Sequence, residues 1–314
     1  MPCVDTGESL PPRFPEGSEI IPGALAWAKL GSGPFCESWM AWSIAHGRPV
    51  TVKIARDDAN VSDVRHVLHR EAGHLGRLAH PAFQRLLGGD LHSGVPYIVL
   101  EYVEGQPLDA LLEEHGPLPI RDALNIATEL LAALGYLHRA GLIHMDVNPS
   151  NIILRDGRIV VLDLGLACPI GKQLSRTALY GTQGYIAPEH WDDARTSPTM
   201  DVFSVGSTLF ELLTGQTPND FDGPPVEPLA SVGRPRSSRR RNQLDQLIAR
   251  LTCLDQANRP ADVHEALVEV GAVRSVDDRM WPDFVDGALA CPLGALPAWV
   301  DPEGFARCST AIAS

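Results

Sequence analysis

Residues 144–151 read His-Met-Asp-Val-Asn-Pro-Ser-Asn, "HMDVNPSN", and the fold turns on what this stretch is for. Asp146 and Asn151 stand five positions apart, and Asp163 follows in "VVLDLGLA". Between them, residues 152–154 and 159–162 are short apolar runs around an Arg-Asp-Gly turn, the pattern of a β-hairpin. Three oxygen-bearing side chains on loops at strand ends suit a magnesium–phosphate site, because Mg²⁺ demands hard oxygen ligands and is usually shared with substrate phosphates. Any one of them is also a common turn former. As a set they point to phosphoryl transfer, which asks a protein to cradle phosphates, hold metal, neutralise charge and aim a hydroxyl.

Upstream lie candidates for the cradle. "LGSGPFCESW" (30–39) holds Gly31 and Gly33, whose missing Cβ lets backbone amides approach a phosphate; alone, such a GxG is equally a plain turn. Twenty residues beyond Gly33, Lys53 sits in "VTVKI" on an expected strand among Val50, Val52 and Ile54. A lysine alternating into an apolar strand needs a partner or a task. The candidate partner is Glu71, in "HREAGHLGRLAHP" on the following helix. Each alone reads as a surface charge; together they fit an ion pair that orients the α and β phosphates of ATP.

Around these motifs the pattern is that of an α+β protein. Residues 1–22 hold five prolines and read as a flexible extension. From 23 to 103, β-like runs at 26–31, 38–44, 49–54 and 97–101 surround one helix at about 61–78, with Val64, Leu68, Leu75 and Leu78 on one face. From 104 to 272 helical spacing dominates, through Leu124, Ala127, Leu131, Leu134 and Leu137 and then in 202–213 and 244–254. Residues 273–314 show no clear period and read as a tail of unknown role. The expected architecture is bilobal, a small β-rich N-lobe with one helix and a larger helical C-lobe.

Composition bounds the classes. The 314 residues are 44% hydrophobic and 21% charged, a globular balance, and the net charge of −13 argues against a nucleic-acid or anionic-membrane binder. Six scattered cysteines form no CxxC pair, which disfavours a disulfide framework or a zinc site. The acidic, proline-rich start is no signal peptide, and no apolar run reaches the ~18 residues of a membrane span, so a cytoplasmic protein is expected. Lysine occurs only at positions 29, 53 and 172, which makes Lys53 more telling; this Ala/Arg/Pro-rich composition hints at a bacterial genome of high GC content.

At these residues the chain resembles the eukaryotic-like (Hanks-type) serine/threonine protein kinases, over about residues 24–270. The resemblance implies Asp146 as acceptor of the substrate hydroxyl proton, Lys53 and Glu71 as the phosphate-orienting pair, and Asn151 and Asp163 as ligands of Mg²⁺ or Mn²⁺. "YIVLEYVEGQPL" (97–108) resembles the hinge, implying Leu100 as gatekeeper and backbone contacts from Glu101 and Val103 to adenine, with Leu30, Gly31, Gly33 and Ile153 also at ATP. Gly165 follows Asp163 in the metal-binding motif, and "GTQGYIAPE" (181–189), with Thr182 and Glu189, resembles the end of an activation segment. Asp201 matches a buried helix aspartate that braces the catalytic loop, and Arg259 in "ANRP" matches the arginine paired with Glu189. The implied activity is ATP-dependent transfer of the γ-phosphate to Ser or Thr hydroxyls of protein substrates.

The departures matter as much. Met145 stands where the family has the arginine that receives an activation-loop phosphate, so a non-RD kinase is expected, with Ser175 and Thr177 as possible phosphosites rather than the on-switch. Cys36 replaces the third loop glycine, Ser38 a valine over adenine and Leu164 the phenylalanine after the metal-binding Asp163. Asn148 replaces a lysine that touches the γ-phosphate, and losing one such electrostatic contact costs about 3 kcal/mol, roughly a hundredfold in rate. The alternatives are a pseudokinase acting as a nucleotide-binding or scaffold module, and a small-molecule kinase. "GRPRSSRRR" (233–241) concentrates five arginines, a solvated loop or a docking patch at 234–241 for an acidic partner.

Overall fold

The computed structural model describes residues 13–174, 181–192, 194–218 and 238–274, without the side chains of 238–241. Ser175, Thr177, the side chains of the arginine run at 234–241, and the expected tail beyond residue 274 lie outside the described residues. The chain divides into two compact units: residues 13–69 and 85–102 form the first, and 70–84 with the described residues from 103 onward form the second. One is sheet-rich and the other mostly helical, which makes the chain an α+β protein.

The first unit is an antiparallel sheet in the order β1-β2-β3-β4-β6-β5. Its strands are β1 (Glu19–Ile21), β2 (Ala24–Ser32), β3 (Cys36–Ser43), β4 (Arg48–Ala55), β5 (Leu86–Asp90) and β6 (Tyr97–Glu101). Ile20, Ile21, Ala24, Ala26, Trp39, Ala41, Val50, Val52 and Ile54 make its core. The reading of 1–22 as a flexible extension therefore fails for its last residues. Ile20 and Ile21 bury themselves, Pro15 and Pro22 flank the strand without interrupting it, and Phe14 sets its ring edge-on to Trp39 at 5.3 Å. Strand β5, "LLGGD", gave no signal of its own; its form comes from pairing with β6, so close that a Cβ on Gly89 (φ 157°) would lie 2.6 Å from the Tyr97 carbonyl oxygen.

Helix α1 (Val61–Leu75) starts after Asn60, whose Oδ1 accepts the Ser62 amide at 2.9 Å. It ends at Leu75, earlier than the expected 78, with Gly76 following. Its residues from Arg70, and the chain to Gln84, belong to the second unit, which departs from the expected division at 103. The cause is local bonding: Val161 N donates to Ala82 O at 2.7 Å, Ala79 N to the Tyr136 hydroxyl at 3.0 Å, and His80 and Phe83 pack on Tyr136.

The second unit contains β7 (Gln106–Pro107), α2 (Leu108–His115), α3 (Ile120–Arg139), β8 (Leu142–Ile143), β9 (Ile152–Arg155), β10 (Arg158–Val161), β11 (Cys168–Pro169), α4 (Pro198–Thr214), α5 (Ser238–Leu251) and α6 (Val263–Arg274). The hairpin read from sequence is β9–β10, Arg155 facing Arg158 across Asp156 (φ 50°) and Gly157 (φ 73°). Two positive φ angles match the right-handed twist of the strands, which is why Asp-Gly sits there. Among the described helices α3 and α4 carry most of the buried residues, and α5 approaches α4 so closely that a Cβ on Gly206 would lie 2.7 Å from Leu251 Cβ. No helix among the described residues is long and apolar enough to cross a membrane.

Candidate active site

The loop 144–151 leaves β8 and is pinned from outside itself. Asp201, in the first turn of α4 and fully buried, accepts the His144 amide (Oδ2, 2.9 Å), the Met145 amide (Oδ1, 3.0 Å) and His138 Nε2 (Oδ2, 2.7 Å). Burial alone would push the Asp201 carboxyl up, but the His138 hydrogen bond and the neighbouring histidines hold it below the usual carboxylate range. Met145 adopts φ 72°, a left-handed backbone that costs a side-chain-bearing residue roughly 1–2 kcal/mol, and its pinned amide holds that conformation in place. Its side chain packs with Ile143, Cys168, Leu174, Ala187, Met200 and Phe203. The Met145 side chain is thus part of an apolar plug.

Next in the loop, Pro149–Asn151 form a single 3₁₀ turn capped by Asn148, whose Oδ1 accepts the Ser150 amide at 3.0 Å. Asn151 Nδ2 donates to Asp146 O and to Asp146 Oδ2, both at 2.9 Å. Leu162 N donates to Asn151 O at 2.8 Å and His144 Nε2 bonds Leu162 O at 3.2 Å, so the segment bearing Asp163 is tied to the same loop. Asp163 has φ 55° and its Oδ1 accepts the Gly165 amide at 2.9 Å. From α1, Arg70 Nη2 donates to the Gly165 carbonyl and His74 Nδ1 lies 3.5 Å from Leu164 O. Burial pushes the His74 imidazole pKa down, favouring the neutral ring. With its amide nitrogen committed, Asn151 offers its Oδ1 to a cation, and Asp163 offers a carboxylate. That donor set, all oxygen, fits Mg²⁺ or Mn²⁺ completed by phosphate oxygens.

A second segment closes on Asp146. Thr182 donates its amide (2.8 Å) and its hydroxyl (2.7 Å) to Asp146 Oδ1, and Gly181 (φ 116°) passes so near the loop that a Cβ would lie 2.8 Å from Met145 O. Beyond it, Ser204 Oγ donates to Tyr185 O at 2.7 Å, and the Tyr185 hydroxyl donates to Glu211. Burial raises the pKa of both the Tyr185 phenol and the Glu211 carboxyl. Arg259 grips Glu189 in a buried fork, Nη1 to Oε1 at 2.8 Å and Nη2 to Oε2 at 2.5 Å, and also donates to the carbonyls of Thr199 and Cys253.

The other sequence-selected residues fall as follows. Lys53 is partly buried on β4, opposite Ser38 on β3 and Ile98 on β6. Glu71, 1% exposed, lies on α1 in the part belonging to the second unit. Leu30 and Gly31 lie near the end of β2, Leu30 half-exposed, and Gly33 N donates to Cys36 O at 2.8 Å to close the β2–β3 turn. A Cβ on Gly31 would meet nothing within 4 Å, and one on Gly33 only Cys36 O at 3.7 Å. Neither packing nor backbone conformation demands glycine at these two positions. Leu100 is buried on β6 beside Glu101, while Val103 and Ile153 pack together with Val160 in the second unit.

Sequence reasoning missed His138, His144, Arg70 and Tyr185, all engaged in fixing these loops. His144 stands inside the opening stretch, where its Nδ1 accepts the Asp146 amide at 3.2 Å. His138 and Arg70 act through partners 63 and 95 residues away, which no local pattern encodes. Cys168 is a buried member of the apolar plug, its thiol pKa raised by burial.

Comparison with known proteins adds three findings. The protein kinase domain family matches residues 26–269. The chain is 33% identical over 274 residues to serine/threonine-protein kinase PknL of Mycobacterium tuberculosis, a match covering 83% of this chain and 67% of PknL. It is 30% identical over 290 residues to a probable serine/threonine-protein kinase PknB of Lactococcus lactis (88% of this chain, 44% of the relative) and 33% identical over 198 residues to PrkC of Bacillus subtilis (62% and 30%). The chain thus spans about two thirds of the mycobacterial relative and less than half of the other two.

Proposed function

From the premise that this chain belongs to the protein kinase family, we propose that it is an ATP-dependent serine/threonine kinase acting on protein hydroxyls. One observation carries the reading: Asp146, Asn151 and the segment bearing Asp163 are joined by hydrogen bonds into a single loop system. A base and two oxygen donors for cations are thereby held in fixed relation.

Phosphoryl transfer asks for positioning and charge more than covalent chemistry. Asp146 orients the acceptor hydroxyl and takes its proton. Asn151 and Asp163 would hold a Mg²⁺ or Mn²⁺ ion, which would supply positive charge to the phosphates. In the first unit, Lys53 and the amides around Gly31 and Gly33 are suited to phosphate oxygens; in the second, Glu71 keeps the role that the resemblance gives it. The apolar packing of Met145 supports a non-RD kinase, active without a phosphate captured at that position.

The test is incubation of the purified chain with labelled ATP, Mg²⁺ and a generic Ser/Thr acceptor protein, with Asp146→Asn as control. Label on the acceptor or on the chain's own serines and threonines, absent from the control, is expected. No label above the control would sink the kinase reading and leave a nucleotide-binding or scaffold role.

A further inference from the structure

Asn148 is 1% exposed, and its amide is spent on Asp146, Ser150 and Thr182. Its Nδ2 lies 3.2 Å from Asp146 O, 3.1 Å from Asp146 Oδ1 and 3.0 Å from Thr182 Oγ1. Its Oδ1 accepts from the Ser150 amide at 3.0 Å and the Ser150 hydroxyl at 2.6 Å. The orientation of the amide is unambiguous: the nitrogen faces only acceptors, the Thr182 hydroxyl acting as one, and the oxygen faces donors. A side chain so engaged has no donor to extend to a phosphate.

Resting on the kinase reading above, we infer that Asn148 is a positioning residue that acts through Asp146 and Thr182, and that it selects which Asp146 oxygen receives the substrate proton. The donors on Asp146 are distributed unevenly. Oδ1 accepts from the Thr182 amide (2.8 Å), the Thr182 hydroxyl (2.7 Å) and Asn148 Nδ2 (3.1 Å). Oδ2 accepts from Asn151 Nδ2 at 2.9 Å. Three donors saturate the lone pairs of Oδ1, so Oδ2 is the oxygen that faces the acceptor hydroxyl and takes its proton as the oxygen–phosphorus bond forms. The Thr182 hydroxyl cannot turn away, because it donates to Asp146 while accepting from Asn148. The amide thus does by direction what it cannot do by charge: it freezes the carboxylate in one rotamer.

The test compares wild type, Asn148→Ala and Asn148→Asp in steady-state transfer to the generic acceptor. Asn148→Ala is expected to lower kcat by about a hundredfold, the cost of a misplaced reacting group, with KM for ATP unchanged. Asn148→Asp keeps the acceptor that caps Ser150 but sets a second carboxylate beside Asp146. Its oxygens cannot donate to Asp146 or Thr182, so kcat should fall as far as in Asn148→Ala with KM for ATP unchanged, a split that a lost nucleotide contact would not produce. A raised KM for ATP with kcat retained would mean that Asn148 touches the nucleotide and would overturn the inference, as would wild-type kcat in both variants. Urea unfolding of Asn148→Ala, Thr182→Val and the double variant reads the same network without turnover. Coupled side chains give a double variant no less stable than the worse single one. Midpoint losses that simply add would refute the network, even if wild type transferred no phosphate and the kinase reading itself fell.

Discussion

At the scale of single residues, the glycines separate function from folding. Gly105 (φ 129°) is required by packing, since a Cβ there would lie 2.2 Å from the Leu154 carbonyl oxygen. Gly105→Ala should cost about 2 kcal/mol or more of stability whether or not ATP is present. Gly31 and Gly33 are under no such demand. Gly31→Ala and Gly33→Ala should therefore leave the thermal midpoint within about 2 °C of wild type. If their amides cradle phosphate, KM for ATP rises roughly five- to tenfold, about one hydrogen bond's worth. Paired calorimetry and kinetics check both halves, and a lost midpoint at Gly31 would make it a folding residue. The lysines at this scale also part company: Lys29 is paired with Glu37 at 2.5 Å near the surface, while Lys53 is partly buried on β4, a place readable from its apolar neighbours.

At the scale of elements, the Glu189–Arg259 fork joins the end of the segment 181–191 to the turn before α6, with Arg259 also stacked 5.2 Å from the Phe203 ring of α4. Arg259→Met strands a buried carboxylate and should destabilise by about 3–5 kcal/mol. Adding Glu189→Leu removes the stranded charge and should recover part of that loss, measured by urea unfolding; a double variant worse than Arg259→Met would contradict this. Sequence made some elements easy to see and hid others, for physical reasons. Strands β2, β3, β4 and β6 and the β9–β10 hairpin carry their own alternation or turn chemistry. Strands β1 and β5 do not, because β1 is three residues long and β5 is shaped by β6. Asp146, Asn151 and Asp163, whose loops the structure joins by hydrogen bonds, stood out in the sequence by type and spacing. Their fixation was legible only in the Asp201 brace, since Thr182 reaches Asp146, His138 reaches Asp201 and Arg70 reaches the Gly165 carbonyl across long stretches of chain.

At the scale of the whole molecule, a chain with 3 lysines permits a test that most proteins would blur. Lys29 is held by Glu37, Lys172 is exposed, and Lys53 is partly buried. An acyl-phosphate derivative of ATP, which modifies an amine beside bound phosphates, should acylate Lys53. Excess ATP should abolish that labelling and leave Lys172 unchanged, as read by peptide mass spectrometry. Labelling of Lys53 indifferent to ATP would remove it from the nucleotide site.

The Asp201 carboxylate has one more consequence. It accepts two successive backbone amides of a loop, yet it belongs to the first turn of α4, the helix with nearly every residue buried. The His144 and Met145 amides cannot be released without exposing a buried carboxylate, and that requires α4 to give way. A surface loop would ordinarily open and close many times while the core stays shut. Here the loop shares its lifetime with the core, so the residues that would do the chemistry come apart only when the molecule does.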